Sequence, residues 1–137
     1  MDGKKDKNIE AIAKIISLTR DGKLEWRSID PSEVSNQNVE EKISSVFVTQ
    51  YKDKILRVYS RKYKGPSMDV TFSNLFLSTE AKSKEMRWYG EVVLELINNS
   101  GISIWTFPKE DILKDLLTVI KYKVSGADDL INSLLME

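Results

Sequence analysis

Arg87-Trp88-Tyr89-Gly90-Glu91-Val92-Val93-Leu94-Glu95-Leu96-Ile97-Asn98-Asn99-Ser100-Gly101-Ile102-Ser103-Ile104-Trp105-Thr106-Phe107-Pro108 reads as two strands joined by a turn. Trp88, Val92, Leu94 and Leu96 recur at even spacing opposite Tyr89, Glu91, Val93 and Glu95, the pattern of a strand buried on one face. Asn98-Asn99-Ser100-Gly101 supplies the turn, and Ile102 to Phe107 returns with Ile104 on one face and Trp105 and Phe107 on the other. Pro108 ends the sheet pattern. A hairpin this late in the chain makes the sheet antiparallel at its C-terminal end.

Working upstream, Ile43 to Tyr51 and Lys54 to Lys64 are rich in β-branched and aromatic residues and flank Lys52-Asp53, which predicts a second hairpin closed off by Gly65-Pro66-Ser67. Val70 to Ser78 is a further strand candidate whose inward face the pattern leaves open, and Leu24 and Trp26 alternating with Glu25 and Arg27 predict a short strand. Asp30 to Gln37, with Pro31, serines and amides, reads as a surface loop.

Helical spacing appears only at the two ends. Ile9, Ile12, Ala13 and Ile16, widened by Ile15 and Leu18, form one apolar stripe that stops at Asp21-Gly22. After Pro108, Glu110 and Asp111 occupy the first turn, where the helix dipole favours acids. Leu113, Leu116, Leu117, Ile120, Val124, Ala127, Ile131 and Leu134 then keep helical spacing across Gly126. Either one long helix results or, with Ser125 and Asp128 spaced as a capping box, two. The fold class is therefore α+β: an N-terminal helix, an antiparallel sheet of about five or six strands, and a C-terminal helix or helix pair packed on one face. Residues 1–137 form a single domain, with 1–8 expected as a flexible tail.

The 137 residues carry 21 basic and 21 acidic side chains, which removes any long-range preference for a polyanion or a polycation. Neither cysteine nor histidine is present, so disulfides, thiolate metal sites and the usual nucleophile–base pairs are excluded. No glycine-rich phosphate loop occurs, and no apolar run reaches the length of a membrane span. No catalytic residue, metal site or cofactor is expected, and the start of the chain shows no secretory pattern. Cytoplasmic residence follows as the expectation.

The local charge is less even than the total, with six basic residues against one acid between Tyr51 and Lys64. Arg57, Tyr59, Arg61 and Tyr63 alternate on one strand face, with Tyr51, Lys62 and Lys64 nearby, a pattern that suits phosphates and stacked bases or else a solvated sheet face. Trp26, Trp88 and Trp105 would wall a ligand pocket if they converged, and otherwise pack the core. Glu110, Asp111, Asp115, Asp128 and Asp129 lack the spacing of a metal loop and fit helix starts or a polar face. Leu130, Ile131, Leu134 and Leu135 make a tail apolar enough to need cover, from its own sheet or from a second chain.

Leu18-Thr19-Arg20-Asp21-Gly22-Lys23-Leu24-Glu25-Trp26, Ile104-Trp105-Thr106-Phe107-Pro108 and Ile120-Lys121-Tyr122-Lys123-Val124 leading to Asp128-Asp129-Leu130-Ile131 resemble segments of small bacterial proteins of uncharacterised function. The resemblance implies a helix, sheet, helix order and brings no site residues with it. Taken together, the expectation is a non-catalytic interaction domain of the bacterial cytoplasm that binds an unknown protein or a second copy of itself, away from membranes. Nucleic-acid binding through the basic hairpin at 51–64 is the first alternative. A small-ligand site or enzyme using a carboxylate or lysine in an aromatic pocket is the second.

Overall fold

The computed structural model describes residues 3–34, 41–66 and 86–137, and the strand expected over Val70 to Ser78 lies outside them. Helix α1 spans Gly3–Arg20, so its backbone already takes in most of the segment expected as a tail. Five strands follow: β1 (Arg27–Ile29), β2 (Glu41–Tyr51), β3 (Lys54–Pro66), β4 (Met86–Ile97) and β5 (Ser103–Thr106). Each pairs antiparallel with the next, in the order of the chain. Helices α2 (Ile112–Val124) and α3 (Ala127–Leu135) complete the α+β fold.

The apolar stripes explain the layering. Ile12 and Ile16 of α1 and Leu113, Leu116, Leu117 and Ile120 of α2 close over one sheet face, where they meet Phe47, Leu56, Val58 and Leu94. Val92 and Leu96 pack at the edge of this core, so the even-numbered face of β4 is the inward one, as its spacing predicts. The helices cover this face alone, while the odd-numbered face buries Val48 and Ile97 beside the charged pair Arg57 and Glu95.

Local chemistry sets the element ends. After α1, Gly22 adopts φ +78°, the Lys23 amide donates to the Leu18 carbonyl at 2.8 Å and the Gly22 amide to the Thr19 carbonyl at 3.1 Å. These are the two bonds of a Schellman cap, which satisfy carbonyls the helix leaves unpaired. The strand expected at Leu24 and Trp26 instead starts at Arg27. Both side chains are buried, but the segment is tied down by other bonds: the Trp26 indole N–H donates to Thr19 Oγ1 at 2.9 Å, and the Thr49 hydroxyl donates to the Glu25 carbonyl at 2.7 Å.

The β4–β5 turn is built on Asn98, whose Oδ1 accepts from the Ser100 and Ile102 amides, each at 2.9 Å, while Gly101 takes φ +83°. Between α2 and α3, Gly126 at φ +80° breaks the helix, so the pair rather than the single long helix forms. The break differs in detail from a capping box. Ser125 Oγ accepts from the Ala127 amide at 3.1 Å, and Asp128 accepts from the Tyr122 hydroxyl at 3.0 Å instead of bonding back to Ser125. α2 packs on α1 and on β4, whereas α3 buries no residue at all.

Candidate functional site

The odd-numbered face carries the arginine and tyrosine stripe. Register places Arg57 beside Glu95 and Arg61 beside Glu91, so the guanidiniums meet carboxylates across the β3–β4 pair. Arg57 donates through Nε at 2.9 Å and Nη2 at 2.7 Å to Glu95 Oε2, and through Nη1 at 3.0 Å to the Gly101 carbonyl. Both members of the pair are buried. Arg61 bonds Glu41 and Glu91, and Lys109 reaches the other oxygen of Glu91 at 3.2 Å. Burial lowers the pKa of the Arg61 guanidinium, but the hydrogen bonds and charges of Glu41 and Glu91 outweigh it, so the net shift is upward. Glu91 also raises the Lys109 ammonium.

Tyr59 sits inside this network, and burial, reinforced by the charge of Glu95, pushes its phenol up to about 12. Tyr63 lies against the Tyr89 ring at 5.8 Å and under the Arg61 guanidinium at 4.7 Å. The two arginines, read from the sequence as either phosphate contacts or part of a solvated sheet face, thus hold acids of the same sheet. Glu41, Glu91 and Glu95 were not singled out from the sequence as their partners. A signal existed: Arg57 and Arg61 are four apart, as are Glu91 and Glu95, which is the spacing at which both pairs face each other on antiparallel neighbours.

Lys62 and Lys64 occupy the opposite face. There Lys42 and Lys64 stand 5.2 Å and 5.4 Å from the ring of Trp88, which is half exposed. This basic patch lies where β3 and β4 run into residues 67–85, outside the described ones. The three tryptophans therefore occupy three places: Trp26 is in the core, Trp88 is on the basic patch, and Trp105 is in the wall of a cleft.

That cleft is almost wholly apolar in its lining and has a volume of about 390 Å³. One wall is the flank of α1, with Ala11, Ile15 and Leu18. Tyr51 and Leu56 from the β2–β3 hairpin line it as well, together with Leu96, Trp105 and Phe107. Helical spacing on α1 and alternation on β3, β4 and β5 bring these side chains to one place. Trp105 packs edge-on against Phe107 with centroids 4.8 Å apart, yet is 48% exposed. Tyr51 is 43% exposed. The only charged side chains in the lining are Lys14 and Lys54, so the cleft is apolar within and positive at its charged positions. Tyr51, predicted as part of a basic binding face, belongs here and not with Arg57.

The four residues of the predicted association face are all on α3 and all open: Leu130 is 59% exposed, Ile131 42%, Leu134 62% and Leu135 78%. Their own sheet does not cover them. No group of acids among the described residues converges as a metal site, and no described helix is long and apolar enough to cross a membrane. Comparison with known protein families, with curated proteins and with solved structures gave no match.

Proposed function

We propose that this chain is a non-catalytic interaction module that takes the apolar face of an amphipathic protein segment into the cleft between α1, the β2–β3 hairpin and β5. The cleft carries the reading. Its walls are apolar and aromatic, Trp105 and Tyr51 are partly open at its surface, and its two cations suit an acidic partner. Aromatic anchors in an apolar groove with a charged rim are how helical segments are recognised.

Chemistry is the weaker alternative because the strongly polar groups are used elsewhere. Arg57, Arg61, Glu41, Glu91 and Glu95 hold one another, and the lining offers lysines without a carboxylate to work with. Placement in the bacterial cytoplasm rests on the sequence resemblance and on the absence of cysteine.

The direct probe is 1-anilinonaphthalene-8-sulfonate, an apolar dye with one negative charge, titrated into dilute full-length protein. The folded wild type should enhance its fluorescence. Ala11→Glu, which places a carboxylate in the cleft wall from an exposed helical position, should abolish the enhancement while the circular dichroism spectrum stays the same. Equal enhancement by both proteins would reject the cleft as the binding site.

A further inference from the structure

We infer that the occupant of the cleft is helix α3 of a second copy of this chain, each copy giving its C-terminal helix to the other. The inference rests on the cleft reading above and names its partner. Three properties of the two surfaces match.

The first is apolarity. Leu130, Ile131 and Leu134 follow helical spacing along α3, Leu135 and Met136 extend the stripe, and none is buried in the chain itself. The second is charge. Residues 127–137 contain Asp128, Asp129 and Glu137 and no lysine or arginine, whereas the cleft is lined by Lys14 and Lys54 and no described acid. Two clefts would repel each other, and so would two acidic tails. A tail and a cleft attract.

The third is reciprocity. Because each chain carries both surfaces, mutual exchange closes the assembly at two copies and leaves neither surface open. The joint already exists in the chain: Gly126 separates α3 from α2 at a left-handed residue, and α3 buries no side chain that it would have to withdraw.

The test combines light scattering from about 1 μM to about 1 mM with uptake of the same dye by full-length protein. Wild type should move from the 15.7 kDa chain to twice that mass, and dye bound per chain should fall over the same range. Leu134→Asp, at an exposed position, should remain monomeric and keep binding dye throughout. Ala11→Glu should also remain monomeric, and its intact tail should displace dye from the Leu134→Asp protein, which the doubly substituted protein should fail to do.

A dimer that survives Ala11→Glu overturns the inference, because the cleft is then not the seat. A monomer that binds dye unchanged at every concentration also overturns it while leaving the cleft reading intact. So does a monomer that excludes dye until Leu134→Asp is introduced, which would place α3 in its own cleft. Failure of the Leu134→Asp protein to take up dye at any concentration would instead remove the cleft reading on which the inference stands.

Discussion

Replacing Arg57 with methionine leaves Glu95 buried without its partner. Arg57 contributes three hydrogen bonds: two to Glu95 Oε2 and one to the Gly101 carbonyl that holds the β4–β5 turn. Side-chain exposure is 8% for Arg57 and 5% for Glu95, so water cannot take over these bonds without opening the sheet. Breaking a buried pair from one side costs about 3–5 kcal/mol, mostly for the stranded charge. Against a total stability of about 5–15 kcal/mol, Arg57→Met should remove about a fifth or more of what holds the domain folded. Removing both charges is a different perturbation. Arg57→Met combined with Glu95→Leu strands nothing except the Gly101 carbonyl, which is near the surface, and should lie within about 1 kcal/mol of wild type. Urea denaturation followed by circular dichroism on the wild type, both single variants and the double variant gives the coupling directly. An Arg57→Met loss below about 1 kcal/mol, or a double variant as unstable as the single ones, would refute the claim that desolvation governs this pair.

Two further outcomes follow from buried groups. Tyr59 has its phenol raised from 10.0 to about 12 in the folded chain, so the folded state keeps a proton that the unfolded chain gives up. The stabilising contribution is whole below pH 10 and is lost as pH rises to about 12, a change of roughly 1–2 kcal/mol once partial exposure is allowed for, which should be absent in Tyr59→Phe when urea midpoints are compared between pH 9 and pH 12. A parallel decline in both proteins would show that Tyr59 contributes none of it. Thr19→Val keeps the shape but strands the Trp26 indole N–H, which is buried and bonds Thr19 Oγ1; about 1–3 kcal/mol should be lost with an unchanged denaturant slope. A shift under about 0.5 kcal/mol would mean that the indole finds another acceptor.

The parts of this fold that were legible in the sequence are those decided within a few residues. Asp21-Gly22 ends α1 because glycine can take φ +78°, Asn98 folds the turn with its own carbonyl, and the alternation of Val92, Leu94 and Leu96 names the inward face of β4. Departures occur where distant segments decide. Leu24 and Trp26 have strand-like alternation, but the bonds that bury them run to the end of α1 and to the Thr49 side chain rather than along a ladder. The bulge at Ser45, at φ +52°, has no glycine or asparagine to announce it. The stripe Arg57, Tyr59, Arg61 and Tyr63 was visible as a face, but a face alone does not say what lies across from it. Register with β4 does, and it turns a row of cations into a row of ion pairs. The cleft was the least legible feature, since its walls come from α1, the β2–β3 hairpin and β5, and no one of these segments is unusual in composition.

The same division is what the proposal of binding over chemistry rests on. On the odd-numbered sheet face, polar groups with reactive potential satisfy each other: Arg57 with Glu95, and Arg61 with Glu41 and Glu91. The even-numbered face packs α1 and α2 over Leu56, Val58 and Leu94 and carries the basic patch of Lys42, Lys62, Lys64 and Trp88 beyond them. Among the exposed apolar side chains of the described residues, those of the cleft wall around Tyr51 and Trp105 and those of the α3 stripe form two concentrations, with Trp88, Ile102 and Ile104 outside both. Scattered apolar residues on a surface need no explanation, but two separate concentrations of opposite charge character do. Each exposes surface whose removal from water is favourable, and the lysines of one disfavour a second cleft as partner while the aspartates of the other disfavour a second tail. An amphipathic acidic helix is the shape that satisfies the cleft, and an apolar groove with cations is the shape that satisfies the helix. A chain that carries both surfaces, joined through a glycine hinge, contains the terms of its own association.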